Sequence, residues 1–220
     1  MAELISGLDA GLVRERVEEA RERIAQAARR AGRDTAGVEL LAAVKYVALD
    51  ELGTLADAGL TLLGENRAQE LVAKAEAYPG TFTWDFIGHL QSRKVKDVVP
   101  HVRYIHSVAS DSVLAQLAKH ARPQTEVLVE VNVAGEASKS GIAPGELAAF
   151  IERAPVPVVG LMTMPPAAER PEASRPHFAA LRELAAAHGL RHLSMGTSQD
   201  YEVAVEEGAT IVRLGSTLYR

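Results

Sequence analysis

A lysine closes the apolar run at residues 40–45, Leu-Leu-Ala-Ala-Val-Lys. A short aliphatic run of this kind reads as a strand buried on both faces. The stem of Lys45 then lies among apolar neighbours, where burial disfavours the ammonium form. A free amine in that position attacks an aldehyde to form a Schiff base. The competing reading is an ordinary solvated lysine, since lysine is seldom buried. Far along the chain, Ser194-Met195-Gly196-Thr197-Ser198 and Leu214-Gly215-Ser216 are two small, hydroxyl-bearing stretches. Glycine lets a ligand approach the backbone closely. Amides at a helix start, together with hydroxyls, then donate to an anion such as phosphate. Plain turn chemistry explains the same residues equally well. Arg213, just before the second stretch, is a permanent cation that only donates hydrogen bonds; a charge pair with a nearby glutamate is its alternative role.

These residues need elements to place them. Leu12, Val13, Val17, Ala20, Ile24 and Ala27 recur at helical spacing and Gly32 is a stop signal, so an amphipathic helix precedes the first strand. Thereafter strand signals fall at 40–45, 61–64, 84–87, 104–106, 126–133, 158–162, 192–194 and 211–214. Helical signals fall between them at 50–59, 67–78, 92–98, 111–120, 145–153, 177–188 and 199–207. Eight alternations in 220 residues predict a single α/β domain over 1–220, a (β/α)8 TIM-type barrel with an extra N-terminal helix. An open doubly wound sheet is disfavoured, because no Gly-x-Gly-x-x-Gly follows the first strand.

Composition narrows the function. A formal net charge of −5 leaves no electrostatic footprint for nucleic acid. The absence of cysteine removes disulfides, thiolate metal sites and a cysteine nucleophile. The N-terminus leads into a charged helix rather than a signal peptide, and no apolar run is long enough to span a bilayer. The expectation is a soluble cytoplasmic protein without nucleic-acid or membrane partners.

Barrels place their chemistry at the carboxyl ends of the strands, with phosphate sites after strands seven and eight. Lys45 follows strand one, Glu65 and Asn66 strand two, His89 strand three. Ser194, Gly196 and Ser198 belong to strand seven and its loop; Arg213, Gly215 and Ser216 belong to strand eight. Closure makes strands one and eight neighbours. A ring bearing an aldehyde and a phosphate fits between the amine and the anion cup, and pyridoxal 5′-phosphate (PLP) is such a molecule. Arg213 would then face the pyridine nitrogen, keep it unprotonated and weaken the ring as an electron sink.

The motifs Ala43-Val44-Lys45, Gly64-Glu65-Asn66, the Phe-Ile-Gly-His-Leu-Gln of residues 86–91, Val131-Asn132 with the Ser-Lys-Ser-Gly of residues 138–141, Gly160-Leu161-Met162, Leu193-Ser194-Met195-Gly196 and Val212-Arg213-Leu214-Gly215 stand in this order. Together they resemble the pyridoxal phosphate homeostasis proteins of the YggS/PROSC type. The resemblance covers nearly the whole chain. It implies a barrel like the N-terminal domain of alanine racemase, with PLP on Lys45 as an internal aldimine. It also implies phosphate held around Ser198, Gly215 and Ser216, Arg213 at the ring nitrogen, Asn66 beside the cofactor and His89 near it. The function implied is a carrier and buffer of PLP with no established catalysis, serving PLP-dependent apoenzymes. Tyr46 after the lysine, Thr197 in the seventh loop, Ser216 after Gly215 and Arg93 depart from the usual family residues, as does a last strand followed so soon by Tyr219-Arg220. None removes the lysine or a phosphate donor.

A racemase-like PLP enzyme is the alternative. It needs a second acid/base, for which Tyr46 and His89 are the candidates; related racemases take theirs from an additional domain across a dimer. Lack of that domain leans toward a monomer. A class I aldolase using Lys45 ranks third.

Overall fold

The computed structural model describes residues 4–136, 140–166 and 169–219. Eight parallel strands close into a barrel in chain order: β1 (Glu39–Ala43), β2 (Leu62–Glu65), β3 (Thr83–Phe86), β4 (Tyr104–Val108), β5 (Glu126–Glu130), β6 (Val158–Met162), β7 (His192–Thr197) and β8 (Ile211–Leu214). The predicted TIM-type barrel is therefore present. β1 pairs with β8, Leu41 opposite Arg213, and this pairing brings the two ends of the chain's chemistry side by side.

The extra helix α1 (Ala10–Arg30) starts where the Asp9 side chain accepts the Leu12 N–H at 2.8 Å. It buries Val13, Val17, Ala20, Ile24 and Ala27 of the stripe read from the sequence, whereas Leu12, in the first turn, is exposed; it covers α2 (Leu52–Asp57), α8 (Tyr201–Glu206) and α9 (Ser216–Tyr219). α1 thus seals the outside of the β8–β1 seam. Among the described residues, no helix is long and apolar enough to cross a membrane.

Two apolar regions result from strand alternation. The large one lies between barrel and helices. The small one, with Leu41, Tyr104, Leu128 and Ile211 at its centre, occupies the inward strand positions. The inward positions are otherwise strongly polar: Asp85, His106, Glu130, Ser194 and Arg213 are all buried. They are treated below, because the sequence pattern did not foretell their connection.

Several boundaries differ from expectation. β1 stops at Ala43, two residues before Lys45, as Val44 turns away while its N–H still reaches Gly64 O at 2.9 Å. β5 ends at Glu130 rather than 133, with Val131 continuing only as an isolated bridge to Ile142. β7 runs on through Gly196 to Thr197, beyond the predicted 194. The last residues form the short helix α9, which was not expected. Ser138, Lys139 and Arg220, which entered the resemblance, lie outside the described residues.

Candidate functional site

At the carboxyl end of the barrel, one cavity of about 500 Å³ is lined by Lys45, Asn66, Ser198, Arg213, Gly215 and Ser216. The loops after β1, β2, β7 and β8 supply them. Tyr46, Ile5, Ile87, Met164 and Tyr219 complete the wall. Ile5 gets there because the N-terminal segment pairs with the loop after β1: Ile5 N–H donates to Tyr46 O at 2.7 Å and Ala48 N–H to Ile5 O at 3.1 Å.

Lys45 is exposed, which corrects the expectation of an amine shielded from water. The ladder ends before it, and the turn carries the side chain to the cavity's edge. Its Nζ stands 5.0 Å from the centre of the Tyr46 ring, a cation–π separation.

One hydroxyl joins the loops after β7 and β8. Ser198 Oγ accepts the N–H groups of Gly215 and Thr217, each at 3.3 Å. The serine is thereby fixed at the cavity wall beside Gly215 and Ser216. Asp200 braces the preceding loop, accepting the Thr197 N–H at 2.8 Å and its hydroxyl at 3.1 Å.

Arg213 is buried and meets no carboxylate among the described residues. Nη1 donates to Ser194 O at 2.6 Å and Ser194 Oγ at 2.5 Å; Nη2 donates to Thr163 O at 3.0 Å and Met164 Sδ at 2.9 Å. Nε has no partner among the described residues. Burial pushes the guanidinium down to about 10, against the opposing pull of Glu130 and Asp200, so it stays protonated at neutral pH.

Two buried polar atoms at this cavity lack partners among the described residues: Asn66 Oδ1 and the Tyr219 hydroxyl. Burial, with Glu65 nearby, pushes the Tyr219 phenol well above its ordinary range and keeps it neutral. Orphaned buried polar groups are uncommon in folded proteins and point to a missing partner.

Three sequence-derived candidates stand elsewhere. Ser194 lies beneath the cavity, fully buried, under Arg213. Gly196 turns the chain at φ +92°, where a Cβ would come within 2.6 Å of Ala204 Cβ, so its role is to let α8 pack close. His89 is exposed and lines a separate hollow of about 190 Å³ with Arg67, Gln91 and Lys94, on the far side of Asn66.

Two further residues bear on the site: Gly88, which the sequence places after strand three, and Lys74, which the sequence reading passed over. A Cβ on Gly88 would sit 2.5 Å from Asn66 Cα, so this glycine permits the close approach of the loops after β2 and β3. Gly88→Ala is expected to lose about 1–3 kcal/mol of stability by overpacking, measured by urea unfolding, because the clash is with backbone. Lys74, on α3 (Ala68–Ala77), is buried against Glu65 at 2.7 Å and donates to Val44 O at 2.8 Å. Its place on the apolar stripe of Ala68 and Leu71 was the available signal.

His106 is a further buried titratable group near the site. Burial lowers its pKa below the ordinary 6.5, outweighing the pull of Asp85. The unfolded chain therefore takes up this proton first as pH falls. Stability is full above about pH 6.5 and drops below it, by at most about 1.4 kcal/mol per pH unit for one proton. His106→Phe should flatten that limb of the stability–pH curve, followed by denaturant midpoints from pH 7 to 5.

No protein-family model matches the chain. A curated pyridoxal phosphate homeostasis protein from Aquifex aeolicus is 42% identical over 219 residues, which cover 93% of this chain and 96% of the relative. The chain belongs to the pyridoxal phosphate homeostasis protein family. A solved structure of one family member, PipY of Synechococcus elongatus with PLP bound, superposes with a TM-score of 0.79 at 28% identity, covering 94% of this chain and all of that one (100%). Alanine racemase from Corynebacterium glutamicum shares the barrel alone, with a TM-score of 0.69 at 15% identity over 99% of this chain and 63% of the racemase.

Proposed function

We propose that this chain binds PLP and acts as a PLP homeostasis protein, holding the cofactor on Lys45 and passing it to PLP-dependent apoenzymes. The observation that carries the reading is the gathering of Lys45, Arg213 and the Ser198–Gly215–Ser216 cup around one cavity. When bound, PLP supplies an aldehyde carbon that an amine can hold covalently and a ring that withdraws electrons. The residues fit such a group. Lys45 offers the amine, and the Ser198 and Ser216 hydroxyls offer donors to an anion, with Ser198 Oγ held in place by the Gly215 and Thr217 N–H groups. Arg213 offers a fixed positive donor, and Asn66 and Tyr219 offer polar atoms in want of a partner. A volume of about 500 Å³ falls within the range of small-molecule sites.

We take the role to be non-catalytic. A racemase-like reaction needs a second acid/base within reach of the substrate. Of its two candidates, Tyr46 lines the cavity and His89 lies in the neighbouring hollow. The test is direct. Protein incubated with PLP, desalted and treated with borohydride should keep its visible chromophore before reduction. Afterwards it should carry a stable mass adduct on the peptide containing Lys45. Absence of the adduct overturns the binding reading. Robust α-proton exchange of alanine in deuterated water, at rates of about 1–10³ s⁻¹, overturns the non-catalytic one.

A further inference from the structure

We propose that Asp85, His106 and Ser194 form an interior hydrogen-bond chain that positions Arg213, fixing its Nη groups so that Nε–H remains as its free donor for a ligand in the cavity. This deepens, and rests on, the reading of the cavity as a PLP site.

The chain crosses the barrel interior. Near its other end, Arg103 donates to both Asp85 oxygens, Nε at 3.1 Å and Nη2 at 2.8 Å, while its Nη1 reaches Glu39 at 2.7 Å. Asp85 Oδ1 also accepts the Tyr104 N–H at 3.2 Å. Asp85 Oδ2 meets His106 Nε2 at 3.1 Å, His106 Nδ1 meets Ser194 Oγ at 2.8 Å, and Ser194 Oγ meets Arg213 Nη1 at 2.5 Å. Asp85, His106 and Ser194 are all fully buried. Three strands, β3, β4 and β7, contribute one inward residue each.

The direction of every hydrogen follows from the two ends. Arginine can only donate, so Ser194 Oγ accepts from Arg213 and must send its own hydrogen elsewhere. The acceptor within reach is His106 Nδ1. At the other end an ionised Asp85 can only accept, so His106 Nε2 must carry a hydrogen. Both ends demand the same neutral tautomer. A connected and satisfied network of this kind is stiff, because any flip leaves a buried group unpaired. A network serving only the barrel's stability would not need to end on a guanidinium at the cavity. This one does, and it leaves that guanidinium one unspent nitrogen.

The first test needs no ligand. In the wild-type protein at pH 7, ¹⁵N resonances of His106 should report a protonated Nε2 and an unprotonated Nδ1. The opposite tautomer or an imidazolium overturns the proposal. The second test uses PLP itself. Ser194→Ala and His106→Phe should each raise the PLP dissociation constant roughly tenfold, the worth of one hydrogen bond to a charged group. Because His106 acts through Ser194, the double variant should be no weaker than either single one; additive losses overturn the chain. Leu128→Ala, an interior truncation off the chain, should lower the melting temperature without changing the affinity. An equal loss of affinity there reduces the chain to a structural role and overturns the proposal. If the wild type binds no PLP while the His106 tautomer is as expected, the cofactor reading fails and the interior chain stands. If PLP binds and the tautomer is wrong, the reverse holds.

Discussion

The Lys45→Ala protein, loaded with PLP and treated with borohydride, is expected to carry no covalent adduct and to lose its visible chromophore on desalting. The argument is one of chemistry and place. Lys45 is the amine at this cavity among the described residues; Lys74 is buried behind the wall with its ammonium committed to Glu65 and Val44 O. Removing Lys45 leaves the anion donors around Ser198 and the Arg213 guanidinium in position. Residual binding should therefore persist, weakened by about 100-fold or more, and should require the phosphate: pyridoxal without phosphate should not compete. This weakening corresponds to about 2.7 kcal/mol or more at 25 °C. An adduct that survives in Lys45→Ala would place the reactive amine elsewhere and separate the family's cofactor from this cavity.

How much of this site was legible depended on which signal each residue gave. β6 and β8 were readable to the residue, since Val158–Met162 and Ile211–Leu214 are mostly apolar runs, broken only by Gly160 and Arg213, with clear ends. β7 was read short because its second half is Met-Gly-Thr, and glycine weakens a strand signal while serving here as a close-packing point beside α8. Lys45 lines the cavity, but its exposure was not foreseen. The apolar run continues through Val44, whose N–H makes the last bond to the neighbouring strand, and the local pattern carries no mark that the strand ends before Lys45. The cup was visible as glycines and hydroxyls in loops, which is a compositional signal. The Asp85–His106–Ser194 chain was invisible for a different reason. His106 and Ser194 sit 88 residues apart and are joined only by barrel closure, so Asp85 and His106 looked like polar interruptions of strands, and Ser194 was read only as part of a hydroxyl-bearing stretch. His89 illustrates the converse. It follows the third strand directly, as a site residue should, yet its turn delivers it to the neighbouring hollow.

Lys74→Met is expected to cost about 3–5 kcal/mol of stability, a large part of the 5–15 kcal/mol that holds an ordinary domain folded. The side chain is 2% exposed and its partner Glu65 is 0% exposed, so neither charge has water to fall back on. Methionine keeps much of the volume, so the loss measures charge and hydrogen bonding rather than a cavity. With the ammonium gone, Glu65 keeps only the Asn66 N–H at 2.7 Å and the Arg67 N–H at 3.2 Å, and the Val44 carbonyl loses its donor. The pair therefore ties together the loops after β1 and β2, one residue before Lys45 and one before Asn66. Urea unfolding should show a lower midpoint at unchanged slope, the mark of lost stability without a change in the extent of unfolding. Glu65→Leu combined with Lys74→Met should recover part of the loss, because two apolar groups leave no lone buried charge, although the two loop amides then lack an acceptor. PLP affinity should fall in Lys74→Met and stay low in the double variant, since both release the loops that carry Lys45 and Asn66. A single variant costing less than about 1 kcal/mol would mean that water reaches Glu65 and that the clamp does not set the spacing of the site.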